Sequence, residues 1–243
     1  MLYLIHACKD REHYIQNYLI PSLIDQGIPN EEIKIWMDEN HKGNLIQCME
    51  SFKWCGELKE GATWHLQDDV IISRDFYKRT KRQNPSTLVC GFCGKDLGPR
   101  PNRIGTVNPH EMWWSFPCIQ IPNHLAGKCA RWFYDEVLNS DREDYVNRVA
   151  GGKSDDWFFR RFMILHHPYF DTINLSPNLV DNIDYLLGGS TINKTRTKDT
   201  SAVYFEDKDL VEGLESKLKD ENLHRINHFS DLCGEIKVSC HSV

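Results

Sequence analysis

The chain has 243 residues, of which 40% are hydrophobic and 26% are charged, and its net charge is -6. This length can bury a full core, so we expect one large α/β domain, alone or with a small appendage. The negative balance argues against indiscriminate binding of nucleic acid. The apolar start, Met1 to Ala7, is too short to span a bilayer and runs directly into Lys9-Asp10-Arg11 without a basic leader. We interpret it as a first strand and expect a cytoplasmic protein.

Nine cysteines are a high and odd number. Without a secretory signal, reduced thiols are favoured over a disulfide framework. Cys90 and Cys93 have the spacing of half a zinc knuckle. The other candidate ligands, Cys233, Cys240 and His241, are scattered, so structural zinc is the lesser alternative.

The first strand is predicted over Leu2 to Ala7, and Asp10 is a candidate N-cap for the helix that follows. Ligands of open α/β sheets lie beyond the carboxyl ends of the strands. The segment that contains His6, Ala7 and Arg11 is therefore a candidate nucleotide-binding segment. A plain surface charge is the alternative interpretation of Arg11.

The second strand is predicted over Ile33 to Met37 and leads into a polar loop with Asp38 and Lys42. A carboxylate in this position is often placed to accept hydrogen bonds from a ribose or a base, which makes Asp38 a candidate for that role. Lys42, in the same loop, is a further candidate nucleotide-binding residue. No glycine-rich phosphate fingerprint stands between the first two strands, so a dinucleotide-binding Rossmann fold is disfavoured.

The most informative stretch carries the adjacent carboxylates Asp68 and Asp69, with Ala62 to Leu66 before them and Val70 to Ile72 after them. This pattern predicts a buried strand that brings two acids to one edge of a sheet. Two like charges side by side are costly to bury, and Mg²⁺ or Mn²⁺ lowers that cost while keeping positions open for substrate phosphates. The alternative is a polar turn after an ordinary strand.

A tryptophan pair, Trp113 and Trp114, follows a long loop. Neighbouring residues of a strand point to opposite sides, so the two indoles cannot both face one core. One is then available to stack on a sugar or a base in a pocket. The alternative, that both are packed between layers, has equal weight.

A second acidic pair, Asp155 and Asp156, follows Ser154, a good N-cap. Acids in a first helical turn suit the helix dipole without any chemistry. The competing interpretation is a general base at the mouth of a pocket. The residues expected to anchor this helix are Trp157, Phe158, Arg161 and Phe162.

Three basic clusters flank these segments, and they either hold phosphates or form solvated faces. They are Lys78, Arg79, Lys81 and Arg82; Lys95, Arg100 and Arg103; and Lys194, Arg196 and Lys198. From Thr195 onward the composition becomes polar, and Leu210, Leu214 and Leu218 have the spacing of an amphipathic helix. We therefore expect a catalytic domain over residues 1–195 and a helical appendage with a tail over 196–243.

Together these motifs resemble glycosyltransferases of the GT-A type, over roughly residues 1–195. Leu66-Gln67-Asp68-Asp69-Val70-Ile71 is similar to the Glu-Asp-Asp-Val motif of the lipopolysaccharide and procollagen galactosyltransferase group, with Gln67 in place of the first acid. Ser154-Asp155-Asp156-Trp157, with Arg160 and Arg161, resembles the acidic motif of inverting family-two-like enzymes. Pro177-Asn178-Leu179-Val180-Asp181-Asn182 is similar to a Pro-Ser-Leu-Val-x-His segment, with Asn182 where a metal-binding histidine would stand.

The resemblance implies a single GT-A domain with a mixed, mainly parallel central sheet flanked by helices. It implies transfer of a hexosyl or pentosyl group from a nucleotide-diphosphate sugar, uridine-linked, to a hydroxyl with inversion. Asp69, with Asp68, would hold Mn²⁺ or Mg²⁺ on the diphosphate, and Asp156 or Asp155 would take the acceptor proton. The nucleoside contacts would come from His6, Arg11 and Asp38.

The acceptor has two candidate classes. One is 5-hydroxymethylpyrimidine in phage DNA, with a flipped base stacked on Trp113 or Trp114 and basic loops on the backbone. The other is a surface or lipid-linked glycan. Outside this enzyme class, a metal-dependent nuclease or phosphotransferase would place both acidic pairs on neighbouring metals. A catalytically silent binding module is a further alternative.

Overall fold

The computed structural model describes residues 1–40, 42–92, 116–138, 155–170, 172–187 and 205–234. Trp113, Trp114 and Cys93 lie outside the described residues, as do Ser154 and the two basic clusters after Arg82. The predictions made for them are therefore not tested by the structure.

The described residues form a six-stranded sheet and a separate pair of strands. The strands are β1 (Leu2–Cys8), β2 (Ile33–Asp38), β3 (Ala62–Gln67), β4 (Val70–Ile72), β5 (Leu88–Cys90), β6 (Cys118–Pro122), β7 (Thr172–Asn174) and β8 (Val180–Asn182). The large sheet has the order β2-β1-β3-β6-β5-β7, and β4 pairs with β8. Strand β6 is antiparallel to both of its neighbours, whereas the other pairs in the large sheet are parallel. The predicted mixed, mainly parallel α/β fold is confirmed.

The helices connect the strands and cover the sheet. They are α1 (Glu12–Tyr14), α2 (Ile20–Asp25), α3 (Asn44–Glu57), α4 (Phe76–Thr80), α5 (Asn123–Trp132), α6 (Asp155–His166) and α7 (Lys208–Gly234), with π-helical turns at Ile15–Leu19 and Phe133–Val137. Asp10 is not an N-cap, because it lies inside a 3-10 turn, Lys9–Arg11, and the helix begins after Arg11 without a side-chain cap.

The two faces of the sheet bury different layers. Strand side chains alternate between faces, so Leu4 and Ile119 join the core formed with α3, α5 and α6. Tyr3 and Trp64 are cross-strand neighbours on the opposite face, where both rings contact Phe76 of α4. The sheet is thus covered by helices on both sides, which leaves its strand ends as the place for a site.

Helix α6 packs through a different face from the one predicted. Phe158 and Phe162 are buried as expected, but Phe159 and Met163 complete the buried stripe. Trp157 is 42% exposed and Arg161 is exposed, so the prediction that they anchor the helix is wrong. The buried positions recur at i, i+1, i+4 and i+5, which turns residues 157 and 161 toward solvent.

The chain divides into two compact units, Met1–Glu206 and a second unit that begins at Asp207. The second unit contains α7. Within the part of the chain that the structure describes, none of the helices combines the length and the apolar character needed to cross a bilayer.

Candidate active site

Three parallel strands end at the same edge of the sheet and place the first acidic pair there. Strand β1 lies between β2 and β3, and all three run in one direction. Asp68 and Asp69 form the turn that follows β3, and both are buried, 7% and 6% exposed. The carboxyl ends of parallel strands are where open α/β sheets bind ligands.

Asp68 is held by protein donors on both of its oxygens. The Cys8 backbone N–H donates to Oδ2 over 2.7 Å, and Nη1 of Arg11 donates to Oδ1 over 2.8 Å. Burial raises the pKa of the Asp68 carboxyl and the charge of Asp69 adds to the rise, whereas Arg11 opposes it. This carboxyl therefore fixes the loop after β1 to the turn after β3.

Asp69 also contacts the Arg11 guanidinium, but through only one of its two carboxylate oxygens. Its Oδ2 lies 2.7 Å from Nη1 of Arg11. Its Oδ1 is buried and has no hydrogen-bond partner among the described residues. A buried carboxylate oxygen without a partner is costly and suits an incoming cation. Because Mg²⁺-like ions are often bound by one or two carboxylates and completed by phosphates and water, the pair fits such an ion.

The acidic turn also redirects the chain into the second sheet. Val70 of β4 lies opposite Asn182 of β8, and the Ile183 N–H donates to the backbone carbonyl of Asp69 over 2.8 Å. Asn182 is 2% exposed, and its Oδ1 accepts the Asp184 backbone N–H at 3.1 Å. The segment that resembles the histidine-bearing motif thus lies beside Asp69, with an amide in place of an imidazole.

The second acidic pair begins α6. Asp155 Oδ1 accepts the Asp156 backbone N–H at 3.0 Å, and Asp156 Oδ1 accepts the Trp157 N–H at 2.7 Å. Burial raises the pKa of Asp155 to about 7, and the charges of Asp156 and Asp69 contribute to the rise. Phe159, one turn later in α6, packs edge-on against Phe52 of α3, and Phe52 packs against His65 of β3. The helix that begins with the second acidic pair is thus packed, through α3, against the strand that precedes the first.

The described residues contain no group of three or more His, Cys, Asp or Glu side chains that could hold a metal ion. The described part of the site offers a buried oxygen without a partner on Asp69 and, at the start of α6, a carboxyl with a raised pKa.

His6 is coupled to a histidine that the sequence did not single out. Its Nε2 lies 2.9 Å from Nδ1 of His65, on the neighbouring strand. His65 is fully buried, and its ring packs edge-on against Phe52. Burial lowers the pKa of His6 to about 4, so both rings are neutral near pH 7. His6 is consequently suited to hydrogen bonding with a nucleoside and not to neutralising a phosphate.

The other predicted nucleotide contacts organise the neighbouring loops. Asp38 accepts the backbone N–H groups of Lys42 and Gly43, and the Lys42 ammonium lies 2.7 Å from Glu50 Oε1. The Ala7 carbonyl accepts a hydrogen bond from Nε2 of Gln47 over 2.8 Å. These residues surround the strand ends, and their contacts with a nucleotide remain predictions.

Gln47 is a structural residue of the site that the sequence pattern left out. Its Nε2 also donates to the Trp36 carbonyl, over 2.6 Å, so one amide joins the ends of β1 and β2 to α3. The signal for it was an amide inside an otherwise apolar helical stripe, since Gln47 stands next to Cys48 and is 6% exposed. A buried amide in such a place needs a backbone partner.

No protein-family model and no curated protein matches the sequence. Among solved structures, the chain is similar to A197 from STIV, with 17% identity, a TM-score of 0.44, and coverage of 85% of this chain and 95% of that one. It is also similar to galactosyltransferase LgtC in complex with donor and acceptor sugar analogues, with 9% identity, a TM-score of 0.38, and coverage of 85% and 88%. Apo mouse xyloside xylosyltransferase 1 is similar at 9% identity and a TM-score of 0.34, with coverage of 71% and 84%. These likenesses are too distant to assign a family.

Proposed function

We propose that the chain is a glycosyltransferase that moves a sugar from a nucleotide-diphosphate sugar, uridine-linked, to an acceptor hydroxyl. The observation that carries the proposal is a pair of acids with different surroundings, one at the strand ends and one at the start of α6. Asp69 has a buried oxygen without a partner, and Asp155 has a pKa raised to about 7. Asp69 is thus suited to bind a cation on a diphosphate, and Asp155 is suited to accept a proton.

On the donor side, Asp69 would hold Mn²⁺ or Mg²⁺ through Oδ1, and Asp68 would fix the loop that carries Cys8 and Arg11. The bound ion supplies positive charge to the departing diphosphate. His6, with Ala7 and Asp38 beside it, would meet the nucleoside through neutral hydrogen bonds. Arg11 adds a fixed positive charge at the same strand ends.

On the acceptor side, we assign the proton transfer to Asp155, with Asp156 as its partner in the first turn of α6. As the acceptor oxygen attacks the anomeric carbon, its proton moves to the Asp155 carboxylate and the bond to the diphosphate breaks. A single displacement of this kind inverts the anomeric centre. A base with a pKa near the working pH is best matched to such a transfer.

For the acceptor, we propose 5-hydroxymethylpyrimidine in phage DNA. The support is a row of exposed cations on α4 and its flanks, Arg74, Lys78, Lys81 and Arg82. Lys78 lies in α4, Arg74 precedes the helix, and Lys81 and Arg82 follow it directly. A row of cations is what a phosphate backbone needs for positioning. Trp113 and Trp114 remain the proposed stacking residues.

A thermal shift screen of nucleotide sugars tests the proposed function, because a ligand that binds only the native state raises its stability. We expect a uridine-diphosphate sugar with Mn²⁺ to raise the melting temperature of the full chain. Asp69→Asn should lose the part of the shift that depends on Mn²⁺. Asp135→Asn, at an exposed position, is the matched control and should keep it. If no nucleotide sugar shifts the melting temperature, the proposed function is wrong.

A further inference from the structure

We propose that Arg11 is a resident cation that competes with a divalent ion for Asp69, so that Mn²⁺ enters the site only together with the donor's diphosphate. This inference rests on the proposed function and concerns the order in which its ligands bind. It follows from three features of the described site. The Arg11 guanidinium contacts both acids, the protein already occupies three of the four oxygens of Asp68 and Asp69, and the fourth, Asp69 Oδ1, is buried.

The guanidinium already neutralises part of the acidic pair. One nitrogen, Nη1 of Arg11, lies 2.8 Å from Asp68 Oδ1 and 2.7 Å from Asp69 Oδ2. Arg11 is 7% exposed, so solvent screens this charge little. Burial opposes the positive charge of Arg11, but the charges of Asp69 and Asp68 outweigh it and raise the guanidinium pKa. A divalent ion at Asp69 would therefore meet a permanent positive charge at short range.

The oxygens of the pair are almost fully used by the protein. Cys8 and Arg11 occupy both oxygens of Asp68, and Arg11 occupies Oδ2 of Asp69. Only Asp69 Oδ1 is left, and the described residues hold no cluster of three His, Cys, Asp or Glu side chains to assist it. Mg²⁺-like ions prefer about six oxygen ligands and give up water reluctantly. Among the described residues, this one carboxylate oxygen is too small a set of ligands to bind such an ion without further ligands.

A diphosphate changes both the shortage of ligands and the repulsion by Arg11. Its oxygens supply the ligands that the protein lacks, and its negative charge offsets the repulsion by Arg11. The same guanidinium that opposes the free ion therefore favours the complex of the ion with the nucleotide. Binding of Mn²⁺ and of the nucleoside diphosphate should accordingly be cooperative, and the coupling must be reciprocal.

The test is the binding of Mn²⁺ to the full chain, measured by electron paramagnetic resonance with and without UDP. For the native chain we expect weak binding of Mn²⁺ alone and at least roughly tenfold tighter binding with UDP. Arg11→Met removes the competing charge and frees Asp69 Oδ2. This variant should therefore bind Mn²⁺ alone at least roughly tenfold more tightly than the native chain does. Arg11→Lys keeps the charge and should remain weak without UDP. Arg131→Met, at an exposed position to which no role in binding is assigned, controls for the loss of an arginine.

The outcomes separate this inference from the proposed function. Equal Mn²⁺ affinity with and without UDP in the native chain overturns the inference, as does Arg11→Lys behaving like Arg11→Met. Binding of UDP that never involves Mn²⁺ also overturns it, while the nucleotide site stands. Failure of UDP and of every nucleotide sugar to bind, with or without Mn²⁺, overturns the proposed function itself. Should Arg11→Met fail to fold, the native chain and Arg11→Lys still decide the question.

Discussion

Asp155 is the residue on which the proposed chemistry depends most, because its environment prepares it to accept a proton. Asp155 is the first residue of α6 and is partly buried. Burial, together with the charges of Asp156 and Asp69, raises the pKa of its carboxyl to about 7. Asp156 shares the helix start, and each of the two acids accepts the backbone N–H of the following residue through Oδ1. The raised pKa of Asp155 comes mainly from its burial in the fold, which could not be read from the acidic pair in the sequence.

Replacing Asp155 separates proton transfer from donor binding. Asp155→Asn should lower kcat roughly 10²–10⁴-fold, the usual contribution of a general base. The affinity for the nucleotide sugar should stay within a factor of about two, because the change lies on the acceptor side. Steady-state kinetics and donor titration measure the two effects. An equal loss in donor affinity and rate would show that Asp155 serves the donor instead.

The raised pKa of Asp155 also predicts a pH profile. Only the ionised carboxylate accepts a proton, so kcat/KM should rise with pH up to about 7 and level off above it. The same profile measured on Asp155→Asn should lose this rise. An unchanged profile in the variant would assign the titration to another group.

The partly buried His6, paired with the fully buried His65, predicts a loss of stability in mild acid. The fold keeps His6 neutral down to about pH 4, whereas the unfolded chain takes up the proton near its ordinary value of 6.5. The unfolded state therefore binds more protons between these values, and this contribution to stability is lost as the pH falls from 6.5 toward 4. Relative to His6→Gln, the native chain should lose up to about 3 kcal/mol of unfolding free energy over this range. Urea titrations at each pH measure the difference, and parallel curves would contradict it.

At the scale of elements, the feature that forms the site is the break between β3 and β4. The apolar run around the acids predicted one strand that ends at a sheet edge. The structure instead interrupts the run at Asp68 and Asp69, and β4 leaves the large sheet to pair with β8. The pairing depends on Val180–Asn182, more than a hundred positions later in the chain, so no local pattern could reveal it.

Helices α3 and α5 cross at two glycines, and this contact makes a prediction about packing. A Cβ added at Gly127 would lie 2.8 Å from the Gly56 Cα, which is backbone and cannot rotate away. Gly127→Ala should therefore lower the unfolding free energy by about 1–3 kcal/mol despite the better helix propensity of alanine. Urea unfolding provides the measurement. Gly213→Ala in α7, where an added Cβ meets nothing within 4 Å, is the control and should cause no loss.

Sequence patterns predicted the elements better than the contacts between them. The strands that carry the candidate site and the inward positions of Phe158 and Phe162 in α6 were predicted from the sequence, and the structure confirms them. The link from Arg11 to Asp68 and the pairing of His6 with His65 join residues more than fifty positions apart. Contacts of this kind come from strand order, which local patterns do not encode.

At the scale of the whole molecule, charge is distributed unevenly. The chain carries a net charge of -6, yet Lys78, Lys81 and Arg82 form an exposed basic stripe with Arg74. The ammonium of Lys81 lies 4.8 Å from the centre of the Tyr77 ring, which holds it beside the helix. A localised stripe on an acidic protein favours an oriented polyanion over indiscriminate binding.

The stripe predicts salt-dependent binding of DNA that contains hydroxymethylated pyrimidines. The affinity should fall linearly with salt on logarithmic axes, and Lys78→Ala with Lys81→Ala should reduce the slope by roughly two. Lys128→Ala with Lys217→Ala, which removes two exposed lysines elsewhere, is the control and should leave it unchanged. Fluorescence anisotropy gives the slopes. Affinity without salt dependence would favour a glycan acceptor.

The proposed function requires Asp69 and Asp155 to serve one reaction centre from two sides. The most direct measurement is a crystal structure of the full chain grown with UDP and Mn²⁺, with anomalous data collected at the manganese edge. We expect one anomalous peak bonded to Asp69 Oδ1 and to both phosphates, with the Asp155 carboxyl on the open side of the nucleotide. A manganese peak away from Asp69, or a diphosphate bound at another part of the molecule, would contradict it.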